Sequence, residues 1–274
     1  MSDEHNGYSV PPVERAFRVL RYIADGNPCA NLSRAAKETG VNRTTLLRLL
    51  HTLEQEAIIE KAETGQGYVL GTGLINLAAS ALYSRDIVQV AHPELRRLVR
   101  ELGLSAHLGI MDGREITYLL RETPNLHLVS NVRVGSRLPA HATTIGRIIL
   151  AHRDFAEVEA LFATSAMAPA TAKTATTLAA LAEQLATDRR IGIAWSVSNF
   201  EAGIGSAAAA VFDSQGKAAG AINVTGPDHE FAESAGRRDE IARALTAAAQ
   251  RISHQLGHIP SSARIRHLSG GHHD

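Results

Sequence analysis

The chain has 274 residues, 45% of them hydrophobic, with Lys+Arg and Asp+Glu both numbering 28. That length allows two domains with a core each, and the zero net charge argues against a nonspecific polyanion binder. No apolar run approaches ~18 residues, so no membrane partner is expected, and Cys29 as the only cysteine excludes an intrachain disulfide or a cysteine-cluster metal site. The opening MSDEHNGYSV lacks the basic start and apolar core of a signal peptide. The expected compartment is the cytoplasm.

Residues 1–12 read as a disordered N-terminus. After Pro11-Pro12 a helix is expected with Val13, Ala16, Phe17, Leu20 and Ile23 on its buried face. Asn31 can cap a second helix carrying Leu32, Ala35 and Ala36. Gly40 stands where that helix must stop, because glycine tolerates the left-handed conformation. Val41 plugs the turn, and Asn42 can cap a third helix. At about 100° per residue, Leu46, Leu49, Leu50, Leu53 and Ala57 share one side of it. Thr44, Arg48, His51 and Gln55 fall opposite, flanked by Thr45 and Thr52. No acid occurs from Val41 to Leu53, as suits a surface facing phosphates. Arg48 can reach a guanine edge, and the Thr hydroxyls can hold phosphates or a base edge. The candidate DNA-contacting residues are Asn42, Arg43, Thr44, Thr45, Arg48 and His51. Two short helices around a Gly also suit an ordinary αα-hairpin. The strand Ile58–Lys61, turn 63–67 and strand Tyr68–Leu70 shift the balance, because a hairpin there is the wing of a winged helix. Residues 13–71 hold eight Lys/Arg against seven Asp/Glu, so modest nonspecific affinity with steep salt dependence is expected.

Leu74, Leu77, Ala78, Ala81 and Leu82 repeat at helical spacing in a linker helix over 73–86, which suits either simple packing or contact with a partner chain. A helix after Pro93 carries Leu95, Leu98, Val99 and Leu102. Ala106–Met111 and Ile116–Leu120 read as strands joined by Asp112-Gly113. Leu126–Val134 is a further strand candidate. Ala142–Ala151 reads as a helix, and 154–190 is Ala-rich with helical segments. Ile191–Val197, Ser206–Phe212 and Ala218–Val224 read as strands. A last helix carries Ile241, Leu245, Ala248 and Ile252. The fold class is therefore α+β: a winged helix-turn-helix over 13–72, a helical linker, and an antiparallel-sheet domain over 87–258 with helices on one or both faces. A disordered tail over 259–274 is expected.

The segments VERAFRVLRYIA, LSRAAKETGVNRTTLLRLLHTLEQEAIIEK and YVLGTGLINLA resemble the winged helix of the isocitrate-lyase-regulator (IclR) family of bacterial transcription factors. GSRLPAHATTIGRIILA (135–151) and GIAWSVSNFEAGIGSAAAAVFDSQGKAAGAINVTGP (192–226) resemble its effector domain. The resemblance spans about 13–255. It implies a GAF-like effector domain, a double-stranded operator, a small-molecule effector, and self-association into dimers or tetramers. It also implies a pocket lined by Thr144, Ile145, Ser196, Ser206, Asn223 and Thr225. Asn199, Ser196 and Ala207 depart from the family pattern, which usually has acids at the first two and a larger aliphatic at the third. Loss of two acids makes an anionic effector the expectation. ATTIGRIILA resembles the subgroup that senses aromatic acids.

The residues themselves add to that set. His141 to Gly146 open a helix whose free N–H groups favour a carboxylate. Thr143 and Thr144 can hydrogen-bond a ligand there, or simply cap the helix. Ser206 suits a strand as a small polar residue, and Asn223 in an apolar run demands partners. His141, Arg147 and Trp195 complete the candidates, Trp195 being equally at home in a core. No catalytic residue, cofactor or metal site is expected: the chain lacks G-x-S-x-G, G-x-x-x-x-G-K-[ST], G-x-G-x-x-G and H-E-x-x-H. Five of its 13 His lie in the last helix or tail. The expectation is a regulator of a catabolic operon, sensing a small organic, aromatic acid. The alternative is a metabolite-binding protein or small-molecule enzyme with a helical interaction module.

Overall fold

A computed structural model describes residues 9–63, 65–83 (backbone only for 81–83), 86–124, 132–234 and 236–259. The chain divides into two compact units between residues 84 and 85.

In the first unit, helix α1 (Pro11–Ala24) begins at the two prolines themselves. Proline is favoured at the first helical positions because its missing N–H would be unpaired there anyway. Pro11 and Pro12 therefore do not belong to the expected disordered start over 1–12, of which residues 1–8 lie outside the described set. The buried face also differs from the expected one. Val19 and Ile23 are buried, whereas Val13 and Phe17 are 51% and 55% exposed. The apolar residues of α1 cover more than one face, and the small core can bury only one of them. Helices α2 (Leu32–Thr39) and α3 (Arg43–Gln55) follow. Asn31 accepts from the N–H groups of Ser33 and Arg34, and Asn42 from that of Thr45 at 2.9 Å. Gly40 is left-handed at φ 65°. Val41, Leu46, Leu50 and Ile59 complete the core. Ala57 is not part of the apolar face: it lies beyond the helix, exposed, at φ 53°. Strands β1 (Ile59–Lys61) and β2 (Tyr68–Leu70) pair antiparallel as the wing. Helix α4 (Thr72–Tyr83) leaves Ile75 and Leu77 65% and 62% exposed, so packing within the first unit does not cover Leu77.

The second unit is built on a six-stranded antiparallel sheet in the order β5-β4-β3-β8-β7-β6. Its strands are β3 (Ser105–Asp112), β4 (Glu115–Glu122), β5 (Arg137–Pro139), β6 (Ala194–Val197), β7 (Ile204–Phe212) and β8 (Ala218–Pro227). The β3–β4 turn falls at Gly113-Arg114, one residue later than expected, because Asp112 still pairs with Glu115 as the last residue of β3. The expected strand over Leu126–Val134 falls largely outside the described residues, and 132–134 is not a strand. Ile191 ends a helix rather than starting a strand, because Gly192 adopts the left-handed cap there. Helix α5 (Asp86–Leu102) contains Pro93 instead of following it. Its buried seam of Ile87, Ala91, Leu95, Leu98 and Leu102 outweighs the one backbone bond that proline removes.

The sheet separates two layers. Helices α5 and α9 (Arg238–Gln255) pack together and against the sheet, α9 through Ile241, Leu245, Ala248 and Ile252. Helices α6 (Thr144–Ala151) and α8 (Leu178–Ile191) pack together, with α7 (Phe155–Phe162) against α8 and α6 laid on β7 and β8. Alternation along β7 aims Ser206, Ala208 and Ala210 at the α6 layer. Every residue of α6 is buried. At Gly146 a Cβ would lie 2.1 Å from the Ala140 carbonyl oxygen, so only glycine lets the start of α6 sit this close.

Candidate functional sites

In the first unit the candidate site is the solvent face of α3. Arg43, Thr44, Arg48 and His51 are exposed, and Thr45 is half-buried. Asn42 is exposed too, but its side-chain oxygen is committed to capping. The Thr52 hydroxyl donates to the Arg48 carbonyl at 3.0 Å. Among the described residues, no carboxylate forms an ion pair with Arg43 or Arg48, while Glu38 is bonded by Tyr22 and Arg34 and Glu54 lies 3.8 Å from Lys61. The Tyr22 hydroxyl, then Arg34, holds the Glu38 carboxyl below its ordinary range. Sequence reasoning missed Leu47, which is 47% exposed on this face. Its position between Thr44 and Arg48 was the available signal: an apolar side chain there can contact a thymine methyl.

In the second unit six expected residues meet around one cavity of about 40 Å³: Thr143, Thr144, Ser196, Ser206, Asn223 and Thr225. Cross-strand register explains the meeting. Ser196 lies opposite Ser206, Ser206 opposite Thr225, and Asn223 opposite His107. Four side chains form a chain of hydrogen bonds. His107 Nδ1 lies 2.9 Å from Asn223 Oδ1, Asn223 Nδ2 donates to Ser206 Oγ at 3.1 Å, and Ser206 Oγ lies 2.8 Å from Thr144 Oγ1. Thr143 caps α6 through the Gly146 N–H and also lines the cavity. Tyr118, Phe200 and Glu201 also line the cavity, and no Lys or Arg is among its described lining residues.

Two buried polar atoms here have no hydrogen-bond partner among the described residues: His107 Nε2 and Thr225 Oγ1. Such atoms are costly unless something bonds them. Burial holds the His107 imidazole down at about 4, against the pull of the Asn223 bond, with Arg121 lowering it further. His107 was missed by sequence reasoning. Its signal was the same as that of Asn223, a polar residue inside an apolar strand.

Four expected residues lie elsewhere. Ile145 is fully buried in the core. The Arg147 guanidinium makes two bonds to Asp188, at 2.9 and 3.1 Å, and a third to the Trp195 carbonyl at 2.8 Å. This buried ion pair uses up the cation that a ligand would need. Burial pushes the Asp188 carboxyl up, and Arg147 offsets part of that rise. His141 bonds the Ala168 carbonyl at 3.1 Å, beside a separate open depression. Trp195 packs against Phe231, with the Arg238 guanidinium 4.3 Å over its ring. Each had a side chain suited to a ligand, but packing claimed it first.

Comparison with known proteins assigns the whole arrangement. Residues 12–63 match the profile of the IclR helix-turn-helix domain, and residues 79–254 match that of the bacterial transcriptional regulator IclR C-terminal domain. This chain belongs to the IclR family. The family comprises transcriptional regulators, so the enzyme alternative falls away. The HTH-type transcriptional regulator XynR of Escherichia coli is 31% identical to this IclR-family chain, over 79% of it and 86% of XynR. Among solved structures, an IclR transcriptional regulator from Alicyclobacillus acidocaldarius superposes with a TM-score of 0.76 at 27% identity, covering 91% and 100% of the two chains. An IclR homologue from Microbacterium hydrocarbonoxydans, solved with 4-hydroxybenzoate, gives 0.78 at 23% identity over 89% and 98%, a likeness of fold. As an IclR-type regulator the chain carries an operator-reading and an effector-binding part, and none of its described helices is long and apolar enough to cross a membrane.

Proposed function

We propose that this protein regulates a catabolic operon by releasing or engaging a two-fold operator when a small organic acid, aromatic in character, occupies the cavity between α6 and the sheet. The observation that carries the ligand site is the pair of orphaned buried atoms, His107 Nε2 and Thr225 Oγ1, in a cavity roofed by the start of α6. Tyr118 and Phe200 offer aromatic walls. With Arg147 taken by Asp188, a carboxylate is met by the α6 N-terminus, its Thr hydroxyls and the Thr225 hydroxyl rather than by a cation. A volume of about 40 Å³ is close to that of a single water, so entry of a larger ligand displaces side chains. That displacement supplies the difference in binding energy between two conformations that regulation needs. A larger open cleft of about 780 Å³ runs along α9, but its Arg251 is paired with Glu94 and no orphaned atom lines it.

Arg43, Thr44, Thr45, Arg48 and His51 read the operator, with Asn42 setting the helix start. Self-association is proposed to use the exposed apolar residues Val13 and Phe17 of α1 and Ile75 and Leu77 of α4. Fluorescence anisotropy with the gene's own upstream DNA tests this reading, at two salt concentrations and with hydroxybenzoates. The expected result is specific, salt-sensitive binding that one acid shifts roughly 5–150-fold. Arg48→Ala is expected to weaken operator binding about 10–100-fold while leaving ligand affinity unchanged. Operator binding that no acid shifts overturns the effector reading, and loss-free Arg48→Ala overturns the reading of α3.

A further inference from the structure

The hydrogen-bond chain in the cavity has a direction. A neutral imidazole carries one donor and one acceptor nitrogen, and the partner of the first decides which is which. The Asn223 carbonyl oxygen faces His107 Nδ1 at 2.9 Å, so Nδ1 carries the proton. Nε2 is then a bare acceptor in a fully buried residue, with no partner among the described residues. At the far end, Ser206 Oγ accepts from Asn223 Nδ2 and shares one hydrogen bond with Thr144 Oγ1, in which either hydroxyl can donate. Whichever donates, one hydroxyl hydrogen of the pair is left for something else. The chain thus ends in an acceptor at His107 and a donor at the Ser206–Thr144 hydroxyl pair, and all three residues line the cavity.

Resting on the reading of this cavity as the effector site, we infer that the effector is a hydroxy acid or amino acid in the broad sense. It gives an O–H or N–H donor to His107 Nε2 and offers a carboxylate or carbonyl acceptor to the free hydroxyl of the Ser206–Thr144 pair. A bare carboxylate meets only half of this requirement. It would place an acceptor against the His107 lone pair, or leave that nitrogen buried and unpaired. Sites built around a hydrogen bond reject ligands lacking the partner far more strongly than apolar pockets reject a missing methylene.

Matched probes test this on the full-length protein by isothermal titration: 3- and 4-hydroxybenzoate against benzoate, and glycolate and lactate against acetate and propionate. At least one hydroxylated member is expected to bind, with its hydroxyl-free partner weaker by at least about tenfold. His107→Gln, which keeps a polar side chain but cannot keep the same acceptor position, is expected to narrow that gap. A hydroxyl-free acid that binds as tightly as its partner overturns the donor requirement and leaves the effector reading standing. Absence of binding by every probe overturns both. Nitrogen-15 NMR of the imidazoles at neutral pH provides an arm that needs no ligand. An unprotonated Nε2 on His107 is the expected state, and a proton on Nε2 overturns the inference by itself.

Discussion

The two units display their candidate site groups in opposite ways. On α3 the groups stand in water, and one short stretch of sequence supplies them all, from Asn42 to His51. In the cavity the groups are buried, and cross-strand register collects them from His107 to Thr225. A surface site can lose a side chain without losing its fold, because the core beneath it, Leu46 and Leu50, points the other way. A buried polar site has no such separation, since each group is also a packing element and its neighbour's hydrogen-bond partner. Stability and function should therefore come apart by mutation in the first unit and stay joined in the second.

The strongest test of that difference is Arg147. Its side chain and that of Asp188 are only 5% and 6% exposed, and removing one partner of such a pair strands the other charge. Arg147→Met is expected to lower the stability of the second unit by roughly 3–5 kcal/mol, read by denaturant unfolding. Because the Arg147 guanidinium also bonds the Trp195 carbonyl, next to Ser196 of the cavity wall, ligand affinity should fall in the same variant. Replacing both partners, Arg147→Met with Asp188→Leu, should recover much of the stability, because no charge is then left unpaired. A loss under about 1 kcal/mol for Arg147→Met alone would show that the pair is dispensable.

The next largest effect is a pH dependence carried by His107. Its imidazole protonates near 6.5 in the unfolded chain and only at about 4 in the folded one, chiefly because burial disfavours the charge. Between those values the unfolded chain binds the extra proton. The contribution to stability is complete above pH 6.5 and is lost as pH falls toward 4, by up to roughly 3 kcal/mol. His141 and His152 are also lowered by burial and act in the same sense. The informative quantity is thus the difference between wild type and His107→Gln in the fall of Tm from pH 7 to pH 4, with the variant the flatter. Parallel curves would mean that His107 titrates normally and is not sealed as the structure has it.

The same contrast explains what the sequence made legible. The helix-turn-helix was readable because capping and helical periodicity are local: Asn31, Gly40, Val41 and Asn42 each do what their position in the chain suggests. The strands around Asp112-Gly113 and the seam of α9 were readable for the same reason. In the cavity, Thr144, Ser206, Asn223 and Thr225 could be picked out by resemblance and by polarity in apolar runs. His107 could not be joined to them, because its link to Asn223 spans 116 residues and exists only through the pairing of β3 with β8. Arg147 and Trp195 could not be told apart from the cavity residues, because Asp188 and Arg238, which engage them, lie far off in sequence. Val13 and Phe17 show the limit of periodicity itself: a helix with more apolar surface than its core can cover does not say which stripe goes inside.

The smallest effect sharpens the comparison from the other side. The Asn31 side chain accepts two backbone N–H bonds, at 3.1 and 3.0 Å, at the start of α2, and it is exposed. Asn31→Ala leaves those N–H groups to water and should lower the stability of the first unit by about 1 kcal/mol. It touches none of the residues proposed to read the operator. At temperatures well below unfolding, operator affinity should therefore stay within about twofold of wild type, while Tm falls. Arg48→Ala should do the reverse, weakening the complex with Tm almost unchanged, since Arg48 is exposed and makes no ion pair among the described residues. If Asn31→Ala weakens operator binding as much as Arg48→Ala does, the first unit does not separate its two roles. The α2 start would then belong to the DNA-reading surface, where a helix N-terminus with free N–H groups is itself a phosphate contact.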